Sequence, residues 1–148
     1  MRAFVCPRLP GFCFAETLSG HVFLQGQRRA MECRLRAEAQ DIMDHLRTGR
    51  TAIAGAVDIE GVCHRAPLAG TLWIHLPRRI RYEFSFRTDD GRSLRFVGQK
   101  DIRLVHPLRT LTTLPGEVHD NGRTIGLARL HFRWRTLPAF LGSFRPLF

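Results

Sequence analysis

Apolar and polar side chains alternate along most of this chain, which is the pattern of half-buried β-strands. The clearest strand covers 79–87, where Ile80, Tyr82, Phe84 and Phe86 alternate with charged or small polar residues. Seven further strands are predicted on the same grounds, at about 13–24, 30–38, 51–59, 66–76, 94–104, 108–119 and 124–134.

Turns and two short helices separate these strands. The segments 88–91 (Thr-Asp-Asp-Gly) and 120–122 (Asp-Asn-Gly) are typical of tight hairpin turns. Residues 40–48 carry apolar positions at helical spacing before Gly49, which predicts a short helix between strands two and three. After Thr136, an N-cap residue, an apolar stripe predicts a C-terminal helix that packs on the barrel or closes one mouth; the stripe comprises Leu137, Phe140, Leu141 and Phe144.

Eight consecutive antiparallel strands joined by short turns can remove their unpaired edges by closing on themselves. The chain has 148 residues, which is an ordinary size for one domain. We therefore predict an all-β, eight-stranded antiparallel meander barrel that forms a single domain over residues 1–148.

Two charged residues break the alternation. Glu16 shares the apolar face of its strand with Leu18 and Val22, and Lys100, the sole lysine, shares its face with Phe96. A charge taken out of water is costly unless it is matched, so the two residues are predicted to pair inside the barrel. Such a pair fixes the geometry of the barrel, serves as an acid and a base if it lines a cavity, or orients the polar head of a ligand.

The inward positions of the other strands are apolar and often aromatic. A barrel of about eight strands can enclose one small ligand, or its side chains can fill the interior completely. The predicted ligand-binding residues of the interior are Glu16, Leu72, Tyr82, Phe84, Phe86, Phe96, Lys100, Leu130 and Phe132.

The formal net charge is +10, and nearly all of the positive charge is arginine. Such a surface admits nucleic acid, anionic lipid or an acidic protein as partners. Nucleic acid is disfavoured because Phe23 and Trp73 are too few to make a stacking platform among the arginines. Strand parity places Arg79, Arg81, Arg87, Arg95 and Arg103 on the outer face, where they form either a basic patch or an ordinary solvated surface with scattered arginines.

Sequence signatures of catalysis and of cofactors do not occur. There is no G-x-G-x-x-G dinucleotide motif and no G-x-S-x-G nucleophile elbow, and the seven histidines lack metal-ligand spacing. We expect no cofactor, no metal and no catalysis.

No stretch reaches the roughly 18 continuous apolar residues of a membrane span, so we expect a soluble, cytoplasmic protein. The four cysteines form no C-x-x-C pair, and we expect reduced thiols.

An ordered series of short motifs covers most of the chain. It comprises 14–20 (Phe-Ala-Glu-Thr-Leu-Ser-Gly), 67–72 (Pro-Leu-Ala-Gly-Thr-Leu), 81–86 (Arg-Tyr-Glu-Phe-Ser-Phe), 90–91 (Asp-Gly), 98–100 (Gly-Gln-Lys), 112–114 (Thr-Thr-Leu) and the aromatic C-terminal stretch. This series resembles the lipocalin-like domain found beside cholesterol-oxidase-like members of the glucose-methanol-choline oxidoreductases, although a tryptophan expected shortly before Thr112 is replaced by Leu108 and Arg109. The resemblance implies a calycin-type barrel and no established activity for the isolated domain.

Two functions from different classes follow as hypotheses. In the first, the barrel binds a small apolar ligand such as a fatty acid, a sterol or another lipid, and Glu16 and Lys100 orient its polar head. In the second, the domain is an accessory module that docks on an oxidoreductase or a hydrolase through its arginine-rich face or its C-terminal helix.

Overall fold

The computed structural model describes residues 12–39, 50–75, 79–101, 113–132 and 145–146. All regular structure in these residues is β-strand. The strands are β1 (Phe12–Leu24), β2 (Gln27–Ala39), β3 (Arg50–Ile59), β4 (Cys63–His75), β5 (Arg79–Arg87), β6 (Ser93–Asp101), β7 (Thr113–Asp120), β8 (Arg123–Phe132) and the short β9 (Arg145–Pro146).

The first eight strands form a closed barrel. Each strand pairs antiparallel with the next, and β1 also pairs with β8, from Leu18 opposite Phe132 to Leu24 opposite Gly126. β9 pairs with the start of β1, at Phe12. The prediction of an all-β barrel of eight antiparallel strands is therefore confirmed, whereas the two predicted helices fall on residues outside the described ranges.

The strands are strongly tilted within the barrel. If the pairing partners are followed once around the sheet from Phe14 on β1, the path returns to the same strand at Leu24, ten residues further on. A stagger of this size tilts the strands away from the barrel axis and sorts the inward side chains into layers. Residues far apart in sequence thus meet at one height of the interior.

The two ends of the barrel differ. One end consists of four tight turns, at 25–26, 60–62, 88–92 and 121–122, and we call it the turn end. The other end carries the longer connections 40–49 and 102–112, together with 76–78, and we call it the long-connection end; these segments lie outside the described residues.

Hydrogen bonds and ion pairs join neighbouring turns at the turn end. The amide of Asp89 donates to the carbonyl of Val62 at 2.9 Å, and Arg92 lies 3.7 Å from the carboxylate of Asp120. The predicted turn at 120–122 is confirmed: Asn121 and Gly122 both adopt positive φ, as a two-residue hairpin turn requires.

A β-bulge interrupts the pairing of β3 with β4. Asp58 lies opposite both His64 and Arg65, and Arg65 adopts a φ of 46°. The Arg65 amide donates to Asp58 Oδ1 at 2.9 Å, and Arg34 donates to Oδ2 at 3.0 Å. These contacts, the backbone hydrogen bond foremost, lower the pKa of Asp58 and hold the bulge in place.

Aromatic rings fill the middle of the barrel. Phe84 and Phe96 are buried and stack with their centroids 4.8 Å apart. The ring of Phe96 lies over two inward glycines, because a Cβ added to Gly98 or Gly116 would come within 2.8 or 2.5 Å of it. Glycine at these two positions therefore gives the ring the room that it occupies.

The ladder between β6 and β7 is short. It extends over four residue pairs, from Arg95 opposite His119 to Gly98 opposite Gly116, and stops toward the long-connection end. The next residue of β7, Pro115, has no amide hydrogen to donate. Lys100 on β6 lies beyond the last pair of this ladder.

Candidate functional site

Four buried polar side chains of the described residues lie toward one end of the interior, whereas a fifth, Thr88, lies at the turn end. Glu16 on β1 and Lys100 on β6 are 6% and 4% exposed, and the Tyr82 side chain on β5 is buried with them. Thr51, at the start of β3, is buried near the same end. β1, β3 and β5 run away from the long-connection end and β6 runs toward it, so these side chains lie on that side of the stacked phenylalanines.

Glu16, Tyr82 and Lys100 form one cluster, which we call the polar cluster. The Tyr82 hydroxyl donates a hydrogen bond to Glu16 Oε1 at 2.5 Å. Lys100 Nζ lies 3.9 Å from Glu16 Oε2 and 5.1 Å from the centre of the Tyr82 ring, within range of a cation–π interaction. The predicted contact between Glu16 and Lys100 is thus confirmed.

The part played by Tyr82 was not predicted from the sequence, where it was assigned to the apolar wall. A signal was available: Tyr82 is the single tyrosine of the chain, and a phenol on an inward position needs an acceptor for its proton. The tyrosine completes the cluster by occupying the oxygen of Glu16 that does not face Lys100.

The electrostatics of the cluster keep Tyr82 as a proton donor. Burial, followed by the neighbouring charge of Glu16 and the hydrogen bond to it, raises the pKa of Tyr82 well above its ordinary value of 10.0. With Glu16 as a carboxylate and Lys100 as an ammonium, the cluster has no net charge. Such an arrangement can hold a polar group by hydrogen bonds inside an otherwise apolar layer.

All nine residues predicted for the interior are buried, but they are not all close to the polar cluster. Leu72 lies directly opposite Tyr82 across the ladder of β4 and β5, and Phe132 ends β8 at the long-connection end. Phe86 pairs with Leu94 toward the turn end, away from the cluster. Contact of any of these side chains with a ligand stays a prediction.

The arginines predicted for the outer face are exposed wherever they are described, and an acidic residue lies among them. Arg79, Arg81, Arg87 and Arg95 are exposed, while Arg103 falls outside the described residues. Glu83 forms ion pairs with Arg81, at 3.5 Å, and with Arg95. The outer face of β5 and β6 is therefore a mixed surface with an acid at its centre.

An apolar pair lies on the outer wall; the sequence placed Phe23 there, but its partner Leu127 was not predicted. Phe23 on β1 and Leu127 on β8 are 56% and 59% exposed and lie directly opposite each other in the ladder. They line a shallow groove that also includes Val97 and Pro115, on β6 and β7. Strand parity could have placed Leu127 there, since it alternates with the inward Ala128.

The buried thiols are not activated nucleophiles. Cys33 and Cys63 are buried and unbridged. Burial raises the pKa of Cys63 from its ordinary value of 9.0 to about 11, and it raises that of Cys33 further. Both residues are thiols at neutral pH, which makes them poor nucleophiles and poor metal ligands.

Two kinds of feature are absent from the described residues. These residues contain no group of three or more histidine, cysteine or acidic side chains placed to hold a metal ion. They also contain no helix with the length and apolar character needed to cross a membrane.

Comparison of the chain with protein-family models, with curated proteins and with solved structures gave no match. The function is therefore inferred from the residues of the barrel.

Proposed function

We propose that this barrel binds a small apolar molecule that carries a polar head, and that it has no catalytic activity of its own. The observation that supports this most directly is the polar cluster of Glu16, Tyr82 and Lys100, buried at one end of an apolar interior. A buried ion pair is seldom a source of net stability, so its presence in a core favours a task other than holding the fold together.

The position of the cluster suggests how a ligand is oriented. Tyr82 and Glu16 belong to β5 and β1, which are four strands apart in either direction around the barrel. Their hydrogen bond therefore spans the interior, and the stacked rings of Phe84 and Phe96 lie behind it toward the turn end. A ligand would rest its head on the polar cluster, on the side that faces away from the stacked rings.

The same geometry favours binding over catalysis. Tyr82 holds its proton far above neutral pH, and Cys33 and Cys63 remain thiols, so none of these groups is an activated base or nucleophile.

The closed barrel of eight strands is also compatible with the lipocalin-like family that the sequence resembles. We propose that relationship because the sequence motifs and the fold agree with it.

The accessory-module hypothesis has less support in the described residues. Glu83 offsets the charge of Arg81 and Arg95, so the outer face of β5 and β6 is not a uniformly basic docking surface. Its other proposed contact, the C-terminal helix, falls outside the described ranges.

Native mass spectrometry of the freshly purified protein tests the proposal. We expect a bound molecule of defined mass that is released on unfolding and identified after solvent extraction. Lys100→Met should abolish the bound species, whereas Arg87→Met, which removes a charge from an exposed position, should not. An empty protein that also takes up no added fatty acid, long-chain alcohol or sterol would overturn the proposal.

A further inference from the structure

The two charged atoms of the polar cluster are spaced for a bridging atom. Lys100 Nζ and Glu16 Oε2 are 3.9 Å apart, which is too far for a direct hydrogen bond. An oxygen placed about 2.8 Å from both atoms would make hydrogen bonds to each at an angle of about 90°, which the geometry of such bonds allows. The two charged atoms are therefore spaced as a pair that one hydroxyl group or one water molecule can bridge.

Lys100 Nζ, a hydrogen-bond donor, faces Glu16 Oε2, a hydrogen-bond acceptor. Glu16 Oε1 already accepts the hydrogen bond from Tyr82, so Oε2 is the oxygen that faces Lys100. A carboxylate oxygen accepts hydrogen bonds and an ammonium donates them. A group that bridges the two atoms must therefore donate to Glu16 and accept from Lys100 at the same time.

We infer that the head group bound by this cluster is a neutral hydroxyl, and that the barrel selects long-chain or polycyclic alcohols over acids and amines of the same size. The inference rests on the proposed function, which it narrows to one class of ligand. A hydroxyl has one proton to donate and lone pairs to accept with, so it satisfies both residues.

Charged heads are rejected at the same place. A carboxylate has no proton to give to Glu16 and would lie beside a second negative charge, and an ammonium would lie beside Lys100 with no lone pair to offer it. Repulsion of this kind inside a buried site discriminates more strongly than a lost apolar contact. The discrimination comes from the pair of opposite charges rather than from the shape of the apolar wall.

The experiment compares 1-decanol, decanoate and decylamine, which share one tail and differ in the head. At pH 7 the acid is ionised and the amine is protonated. Binding is measured by titration calorimetry below the solubility limit of decanol and below the concentrations at which the two charged compounds form micelles. For the unaltered protein we expect the dissociation constant of decanol to be at least tenfold lower than that of either charged compound.

Two variants test whether the preference for decanol comes from the polar cluster. Replacing both charges, with Glu16→Gln and Lys100→Met, should reduce the preference for decanol over decanoate to less than threefold. Leu127→Ser, in the outer groove, should leave decanol binding unchanged. The ranking in the unaltered protein decides the question even if the double variant does not fold.

The outcomes separate the two proposals. Equal or tighter binding of decanoate or decylamine would overturn the hydroxyl inference and leave the proposed function standing. Binding of none of the three compounds would count against the proposed function and the inference with it. Loss of decanol binding in Leu127→Ser would move the site to the outer wall and overturn the inference.

Discussion

The Tyr82 hydroxyl donates to Glu16 Oε1 at 2.5 Å and so joins two strands that do not share a ladder. Hydrogen bonds of the sheet connect only neighbouring strands, whereas this one connects opposite walls through the interior. Lys100 then supplies the positive charge near the other oxygen of the same carboxylate.

Removing one member of the charged pair should be more harmful than removing both. Lys100→Met leaves the Glu16 carboxylate buried without its counter-charge, and we expect a loss of about 3–5 kcal/mol in the free energy of unfolding. The double variant Glu16→Leu with Lys100→Met should recover most of that loss. Urea denaturation measures both, and Arg87→Met is the control, expected to change stability by less than about 0.5 kcal/mol. A small effect of Lys100→Met would show that the two charges are not coupled.

Tyr82→Phe tests the hydrogen bond across the interior while keeping the ring. The Glu16 carboxylate loses a donor that it cannot replace from water, so we expect a loss of about 1.5–3 kcal/mol in the free energy of unfolding. Phe84→Tyr is no suitable control because it adds a buried hydroxyl, so Phe23→Tyr on the exposed outer wall serves instead. Unchanged stability in Tyr82→Phe would mean that the bond contributes nothing to the fold.

Alkaline pH should destabilise the barrel through groups that hold their protons when folded. The folded-state pKa of Cys63 is about 11 against an ordinary 9.0, and those of Cys33 and Tyr82 are also raised. The unfolded chain releases these protons at lower pH, so the stability they contribute is complete below about pH 9 and is lost as the pH rises above it. The free energy of unfolding, measured from pH 8 to 11, should fall with increasing slope, and Tyr82→Phe should flatten the part above pH 10. A flat profile would contradict the assignment.

Gly98→Ala should crowd the stacked rings. Its new Cβ would lie 2.8 Å from the Phe96 ring and 3.0 Å from Leu114, so one of the two must move. We expect the free energy of unfolding to fall by about 1–3 kcal/mol, which is the usual effect of overpacking a core. Phe96→Leu should lower the free energy of unfolding less in the Gly98→Ala variant than in the unaltered protein, because the smaller side chain leaves room for the methyl group. Strictly additive losses would show that the ring and the glycine are not in contact.

The buried thiols should react only when the barrel opens. Cys33 and Cys63 are 0% and 4% exposed, and both have a raised pKa. At pH 8, iodoacetamide should modify them at least tenfold more slowly in the native protein than in guanidinium chloride, as followed by mass spectrometry of the peptides. Equal rates in the two solvents would place these residues at the surface.

Much of the fold could be predicted because alternation is a local signal. The charged pair was found because Glu16 and Lys100 break that alternation on otherwise apolar faces. The bulge at Asp58 could not be found in this way, since it depends on the register between two strands and not on either strand alone. The same holds for the stagger of the sheet, which decides that Tyr82 and Glu16 meet at one height.

The role of Tyr82 could not be predicted from its position on an apolar face alone. Tyr82 was grouped with Phe84 and Phe86 because the three share a face, although only the tyrosine carries a group that can reach Glu16. The second strand begins at Gln27 and not near residue 30, because the pairing with β1 continues through the polar residues Arg28 and Arg29 to the turn. Pairing with a long neighbouring strand thus extends a strand past the residues that look like a loop.

The short ladder between β6 and β7 makes the wall of the barrel uneven in its resistance to thermal motion. Four residue pairs hold this seam, whereas thirteen hold β1 to β2. Beyond Gly98, β6 keeps its ladder with β5 but has none with β7, so amide hydrogen exchange should be faster there than in the part of β6 that is paired on both sides. Because Lys100 lies at that point, a brief parting of two strands exposes the polar cluster from the side while the rest of the core stays closed.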